Sequence, residues 1–326
     1  RTSAGTTTFG SIASNIHNPV FLDEPDTTAP ARRRISKTVL SSYAVSDTLS
    51  ILDERAQLTL GVRKQRIAAD NYNIATQVRT SRYDKDAYTP VVGLVVKPWE
   101  RVSLYGSYIE GLQQGAVVGT SYANANEVLD PYLSKQYEVG VKVDWGQVST
   151  TLAAFQIEQA SALVNPANNT LTSDGEQRNR GLELNVAGEP WRGVRLLGGY
   201  MLLDAKLTQT QSGLNNGKTA PGTSRHHVTL GAEWDTPYVP GLTLTSRVMY
   251  ASRQDVDAAN TQSIKPWTTV DLGARYTVER PGGQPVTLRA NVRNVFNKNF
   301  WTTYPGAGTL NISEGRTLML SATMHF

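Results

Sequence analysis

Residues 136–145 alternate without a break: Tyr137, Val139, Val141, Val143 and Trp145 fall on one side of an extended backbone, Gln136, Glu138, Gly140, Lys142 and Asp144 on the other. A helix would spread these charges over every face, so the period of two predicts a strand. The period returns with Leu58, Leu60 and Val62 against Gln57, Thr59 and Arg63, and with Val228, Leu230, Ala232 and Trp234 against Thr229 and Glu233. It returns again with Val270, Leu272, Ala274 and Tyr276 against Thr269, Asp271 and Arg275, and with Val286, Leu288, Ala290 and Val292 against Thr287, Arg289, Asn291 and Arg293. The last strand sets Leu318, Leu320, Ala322, Met324 and Phe326 against Thr317, Ser321, Thr323 and His325; residues 150–157 and 194–203 are apolar on both faces.

The two-faced segments run to roughly nine to twelve residues, the length a tilted strand needs to cross a hydrocarbon core. Trp145, Trp234, Tyr250, Tyr276 and Phe326 stand near segment ends, where an interfacial girdle is expected. Short connections at 46–54, 98–100, 146–147, 188–193, 236–241 and 279–285 alternate with long polar ones at 68–86, 110–134, 159–179, 205–225, 252–266 and 297–315. A soluble sandwich has no reason for that alternation, whereas an up-and-down barrel in the outer membrane turns tightly on the periplasmic side and loops out on the other. The expected fold is therefore all-β, an antiparallel up-and-down transmembrane β-barrel. About 13 strands are expected between residues 36 and 326, an odd number, whereas closed single-chain barrels have an even one. The whole of 1–326 then reads as the carboxy-terminal portion of a larger barrel of about 22 strands. A plug domain and the early strands are expected upstream, with residues 1–35 as an external loop descending into the first strand.

Composition narrows the alternatives. The longest apolar run, 91–96, contains Gly93, so no helix spans a membrane; a barrel passes this test because only alternate residues meet lipid. With no cysteine there is neither a disulfide framework nor a thiolate site. The net charge of +4 is scattered, its densest cluster being Arg32, Arg33 and Arg34, and no basic stripe interleaved with aromatics points to nucleic acid. Adjacent His226 and His227 point to opposite sides of a strand, so they form no metal site together, and His17 and His325 are remote. Asp70, Asp84 and Asp86 lack the spacing of a calcium loop. No nucleophile elbow, zinc-binding helix or phosphate loop is present, and the chain reads as a non-enzyme without a cofactor.

Pro131-Tyr-Leu-Ser-Lys-Gln-Tyr-Glu-Val-Gly-Val-Lys142, Arg178-Asn-Arg-Gly-Leu-Glu-Leu184 and Asn291-Val-Arg-Asn-Val-Phe-Asn-Lys-Asn-Phe-Trp301 resemble segments of TonB-dependent outer-membrane siderophore receptors, the last with Asn297 where the family usually has Asp. Residues 41–49, 61–63 and 103–111 match as well, so the resemblance spans nearly the whole chain. It implies energy-coupled import of a ferric siderophore, of the hydroxamate type taken up by ferrichrome or coprogen receptors. It also implies contact with the TonB complex through an amino-terminal segment, outer-membrane lipid around the wall, and a terminal Phe326 read by the barrel-assembly machinery. The alternative is a passive porin or structural barrel with a water-filled interior.

A bulky chelate is captured by loops that stack and hydrogen-bond. Tyr122, Tyr132, Trp301 and Tyr304, with Tyr83 and Tyr88 behind them, are the candidates for that work. Glu138, Lys142, Glu183, Arg247, Asp271, Arg275, Arg289 and Arg293 are expected to face the lumen, forming cross-strand ion pairs or meeting the plug.

Overall fold

A computed structural model describes residues 2–4, 32–280, 283–303 and 310–324. In chain order come β1 (Thr2–Ala4), β2 (Arg33–Ile51), β3 (Ala56–Tyr72), β4 (Arg79–Trp99), β5 (Val102–Gln113) and β6 (Tyr132–Asp144). Next are β7 (Val148–Asn165), β8 (Thr170–Trp191), β9 (Val194–Gln209), β10 (His226–Asp235) and β11 (Leu242–Ala251). The short ribbon of β12 (Gln254–Asp255) and β13 (Ser263–Ile264) precedes β14 (Trp267–Arg280) and β15 (Gly283–Arg293). A second ribbon, β16 (Trp301–Thr303) with β17 (Leu310–Ile312), precedes β18 (Thr317–Met324). Apart from the ribbons, every strand joins one antiparallel sheet in the order β1 to β11, then β14, β15 and β18, so each strand pairs with its neighbours in sequence.

Register carries the alternation across the sheet. One row of paired residues reads Ile51, Ala56, Val96, Leu104, Val141, Leu152, Leu184, Tyr200, Val228 and Tyr250 across ten strands. Among the described residues no protein layer covers this face: Leu152 is 49% exposed, Val139 61% and Leu320 73%. A sandwich would bury these side chains; here they form an apolar belt suited to hydrocarbon. Trp99, Trp145, Trp191 and Trp234 close the belt at the short-turn end, and Tyr43, Tyr88, Tyr108, Tyr137 and Tyr200 mark its other rim. Eight residue steps separate Tyr137 on β6 from Trp145 just past its end, about 27 Å along the strand and about 20 Å once tilted, close to the height of an outer-membrane apolar band.

Three expectations need correction. Strands β2 to β11, β14, β15 and β18 run from 8 to 22 residues, rather than nine to twelve, and β1 has three. Segments 68–86 and 159–179 are also not loops: β3 and β4 stay paired to Tyr72 and Arg79, and β7 and β8 to Asn165 and Thr170. Beyond the belt neither face needs to be apolar, so these ribbons look like loop in sequence while the backbone ladder continues. The first turn is likewise tighter than 46–54, occupying residues 52–55 with Leu52, Asp53 and Glu54 all at positive φ.

Close approach explains two wall glycines. The Tyr105 ring lies across Gly140 on the neighbouring strand, 2.6 Å from where a Cβ would sit, and the Phe155 ring lies across Gly181 in the same way. A ring over a glycine covers backbone that would otherwise be bare and fixes the register of that pair.

Candidate ligand-binding mouth

The mouth lies at the long-loop end, where side-chain amides bind neighbouring backbone in both directions. Asn124 Oδ1 accepts the Leu171 N–H (2.9 Å) and its Nδ2 donates to Leu171 O (3.0 Å). Gln211 does the same with Val164 (2.9 and 2.7 Å), and Asn260 with Thr219 (2.8 and 2.9 Å). Each amide imitates a strand neighbour and satisfies backbone groups that a loop would leave open. Asn169 adds a bond from its Nδ2 to Ser121 O (3.0 Å), and Lys85 pairs with Asp130 (3.0 Å). Loops 114–131, 210–225 and 252–266 and the tip of the β7–β8 ribbon thus form a linked collar.

Against this frame the candidate ligand contacts separate. Tyr83 is 1% exposed, packed with Ile67 and Ala69 under Val117 and Val128 of loop 114–131, and Tyr132 is 9% exposed. Tyr83 packs beneath the loop, which needs an apolar underside to sit on the polar face of the wall, and Tyr132 is buried at the start of β6. Tyr88 shares the outer face with Lys64, whose ammonium lies 5.4 Å from its ring centre, and belongs to the girdle. Tyr122 is half-buried in a turn at the collar, and Trp301 is half-buried on β16 opposite Ile312. Tyr304 and Phe326 lie outside the described residues.

Register sets Glu138, Lys142, Glu183, Arg247, Asp271, Arg275, Arg289 and Arg293 on one face, opposite the apolar belt. Glu138 accepts the Tyr105 hydroxyl (2.6 Å), and the Lys142 ammonium stands 5.1 Å from the same ring's centre. Arg247 binds Asp271 (2.6 Å), Arg293 reaches Glu314 (3.4 Å), and Arg289 donates to Thr323 Oγ1 (3.3 Å). Arg275 reaches Glu233 (3.2 Å), which it shares with Arg195, while Arg195 also forks onto Asp235 (2.6 and 2.7 Å). Arg195, Glu233 and Asp235 escaped the sequence reading because the partners lie about forty positions apart, with nothing local to pair them.

The base of the last loop escaped it too. Asp271 Oδ1 accepts the Asn294 N–H (2.9 Å), and Asn294 Nδ2 donates to Lys298 O (2.8 Å) and Glu314 O (3.1 Å). Asn297 Oδ1 accepts the Arg316 N–H (2.8 Å), so the asparagines of the Asn-Val-Phe-Asn segment draw the loop's two ends together. Both adopt positive φ, which asparagine tolerates better than most residues. The loop carries Phe300 onto the Trp267 indole, ring centres 4.6 Å apart, with His227 edge-on to the same indole at 6.4 Å. On the outer face above the girdle, bonds from Arg66 and then Arg82 hold the Asp84 carboxyl well below the usual carboxylate range.

Residues 2–295 match the family model described as TonB dependent receptor-like, beta-barrel. The chain is 39% identical over 327 residues to the ferrichrome receptor FcuA of Yersinia enterocolitica, covering 97% of this chain and 43% of that protein. It is 28% identical over 289 residues to the ferrioxamine B receptor of Salmonella typhimurium, covering 87% and 40%. The crystal structure of BauA, the ferric preacinetobactin receptor of Acinetobacter baumannii, superposes with a TM-score of 0.78 at 40% identity, covering 94% of this chain and 45% of that one. The chain therefore spans less than half the length of each of these proteins.

Proposed function

We propose, from the premise that this chain belongs to the TonB-dependent receptor β-barrel family, that it supplies the wall and mouth of a receptor importing a ferric siderophore of hydroxamate type. It is an outer-membrane β-barrel chain, and its family is one of receptors rather than enzymes. The observation that carries the ligand class is the 39% identity to a ferrichrome receptor across 97% of this chain, and the name of the ferrioxamine B receptor supports it. The geometry is compatible: an apolar outer belt, a charged inner face, and a collar of polar and aromatic loops above it. In the complete protein a plug domain and early strands precede this portion, bringing the barrel to about 22 strands. The TonB complex engages a segment of that remainder, the belt meets outer-membrane lipid, and Phe326 serves the assembly machinery. Tyr122, Trp301 and Tyr304 are the retained ligand contacts.

The test is uptake of a labelled ferric hydroxamate by iron-starved cells with and without the gene. Deletion is expected to abolish uptake, as is dissipation of the energy supply in cells that keep the gene. Uptake that survives deletion overturns the proposal, and uptake indifferent to energy would mark a passive pore.

A further inference from the structure

On the outer face the tyrosine rim has a gap. One row of paired residues reads Val92, Tyr108, Tyr137, Gln156, Arg180 and Asp204, so β7 and β8 bring an amide and a guanidinium where β5 and β6 bring rings. The next row toward the belt reads Gly106, Val139, Ala154, Leu182 and Leu202. Between these two rows, over the small Ala154, lies an outward crevice of about 490 Å³. Val139, Leu182 and Leu202 form its belt side, and Gln156, Arg180 and Asp204 its rim side. The crevice is complete within the described sheet: β5 and β10 flank the four strands that line it, and a plug belongs to the opposite face.

Arg180 is held by a neutral group. Its Nε donates to Gln156 Oε1 (2.5 Å), and Gln156 Nε2 in turn donates to Glu158 (2.7 Å). One row above stand Glu110, Lys135, Glu158, Arg178 and Lys206, and Arg225 borders the crevice on its β10 side. On the β8–β9 side cations therefore prevail: Arg178, Arg180, Lys206 and Arg225 face one carboxylate, Asp204, which lies 3.7 Å from Lys206. The outer face of β3 and β4 is different, since Lys64, Arg66 and Arg82 are matched there by Asp86 and Asp84.

We propose that this crevice binds a phosphorylated glycolipid of the outer leaflet, with an acyl chain over Ala154 and a phosphate on the Arg180 fork. The lining follows the polarity of such a lipid, apolar at the belt row and cationic at the rim row. A guanidinium keeps its charge and takes phosphate oxygens in pairs, which makes arginine the suited residue at that height. Gln156 and the exposed Asp204 beside it accept hydroxyl protons, so a sugar headgroup fits where a headgroup offering phosphate alone would meet a repelling carboxylate. Tyrosines at positions 156 and 180 would fill the space that the chain needs. The inference rests on the outer-membrane placement of the barrel and not on which chelate it imports.

The experiment titrates the full-length receptor in detergent with three lipids, read by native mass spectrometry: lipid A, the same lipid stripped of its phosphates, and phosphatidylglycerol. The wild type is expected to bind lipid A about tenfold more tightly than either of the others. In Arg180→Gln the preference over the stripped lipid should fall to about one, through loss of affinity for the phosphorylated form alone. Ala154→Phe, which fills the crevice and leaves the charges in place, should weaken both forms of lipid A by a similar factor. Equal binding of the phosphorylated and stripped lipids by the wild type, or a preference that survives Arg180→Gln, overturns the site. Phosphatidylglycerol bound as tightly as lipid A, or binding indifferent to Ala154→Phe, overturns it as well. Siderophore uptake plays no part in this readout, so the receptor reading and the lipid site fail separately.

Discussion

Asp84 shows how a single carboxylate behaves once its strand has risen above the lipid belt. It accepts bonds from Arg66 and Arg82, both at 2.7 Å, and these hold its pKa down. A depressed folded-state pKa contributes stability above the unfolded carboxylate range, lost only as pH falls through the lowered value. Protection against hydrogen exchange in the β3–β4 extension, taken relative to the intrinsic rate at each pH, should therefore be the same at about pH 7 and about pH 5, and Asp84→Asn should lower it at both. Weaker protection in the wild type at the lower pH would contradict this account. Residue identity alone could not place Tyr83 and Tyr88, since one tyrosine fills a buried gap under a loop and the other faces outward beside Lys64. Five positions separate them, and an odd separation on one strand reverses the face.

At the scale of elements, the wall is held by close fits between neighbouring strands and the collar by amides. Gly140→Ala drives a methyl into the Tyr105 ring and is expected to cost about 1–3 kcal/mol, read as a lower urea midpoint for the folded barrel. Because the three atoms nearest the methyl all belong to that ring, the cost should shrink on a Tyr105→Ala background, and strict additivity of the two changes would rule out the ring as its source. Asn124→Ala removes both bonds to Leu171, a loss of about 1–3 kcal/mol. Exchange should rise together in loop 114–131 and at the ribbon tip, while β14 and β15 stay unchanged; a rise confined to loop 114–131 would show that the collar is not linked. The extended ribbons were hidden for the same reason that they are stable: above the belt, backbone bonds hold a strand whose side chains no longer alternate.

For the molecule as a whole, the tryptophan rim and short turns define one side of the membrane and the collar the other. The chain has no cysteine, so one introduced thiol reports its own side. An impermeant maleimide should label Asn168→Cys on intact cells and Gln147→Cys only after the outer membrane is breached; the reverse pattern would invert the topology. The alternation in segments such as 136–145 and 286–293 determined the strands, their two faces and the order of turns, because hydrocarbon on one side and water on the other impose a period of two that each segment expresses locally. The family was legible for a related reason, in short motifs such as residues 291–301 whose residue types can be read in one stretch. Only the tertiary structure decided where ribbons end, which tyrosines are buried, and that Arg195, Glu233 and Arg275 form one network. Those facts depend on which residues meet across strands some forty positions apart, and register, not local sequence, sets those meetings.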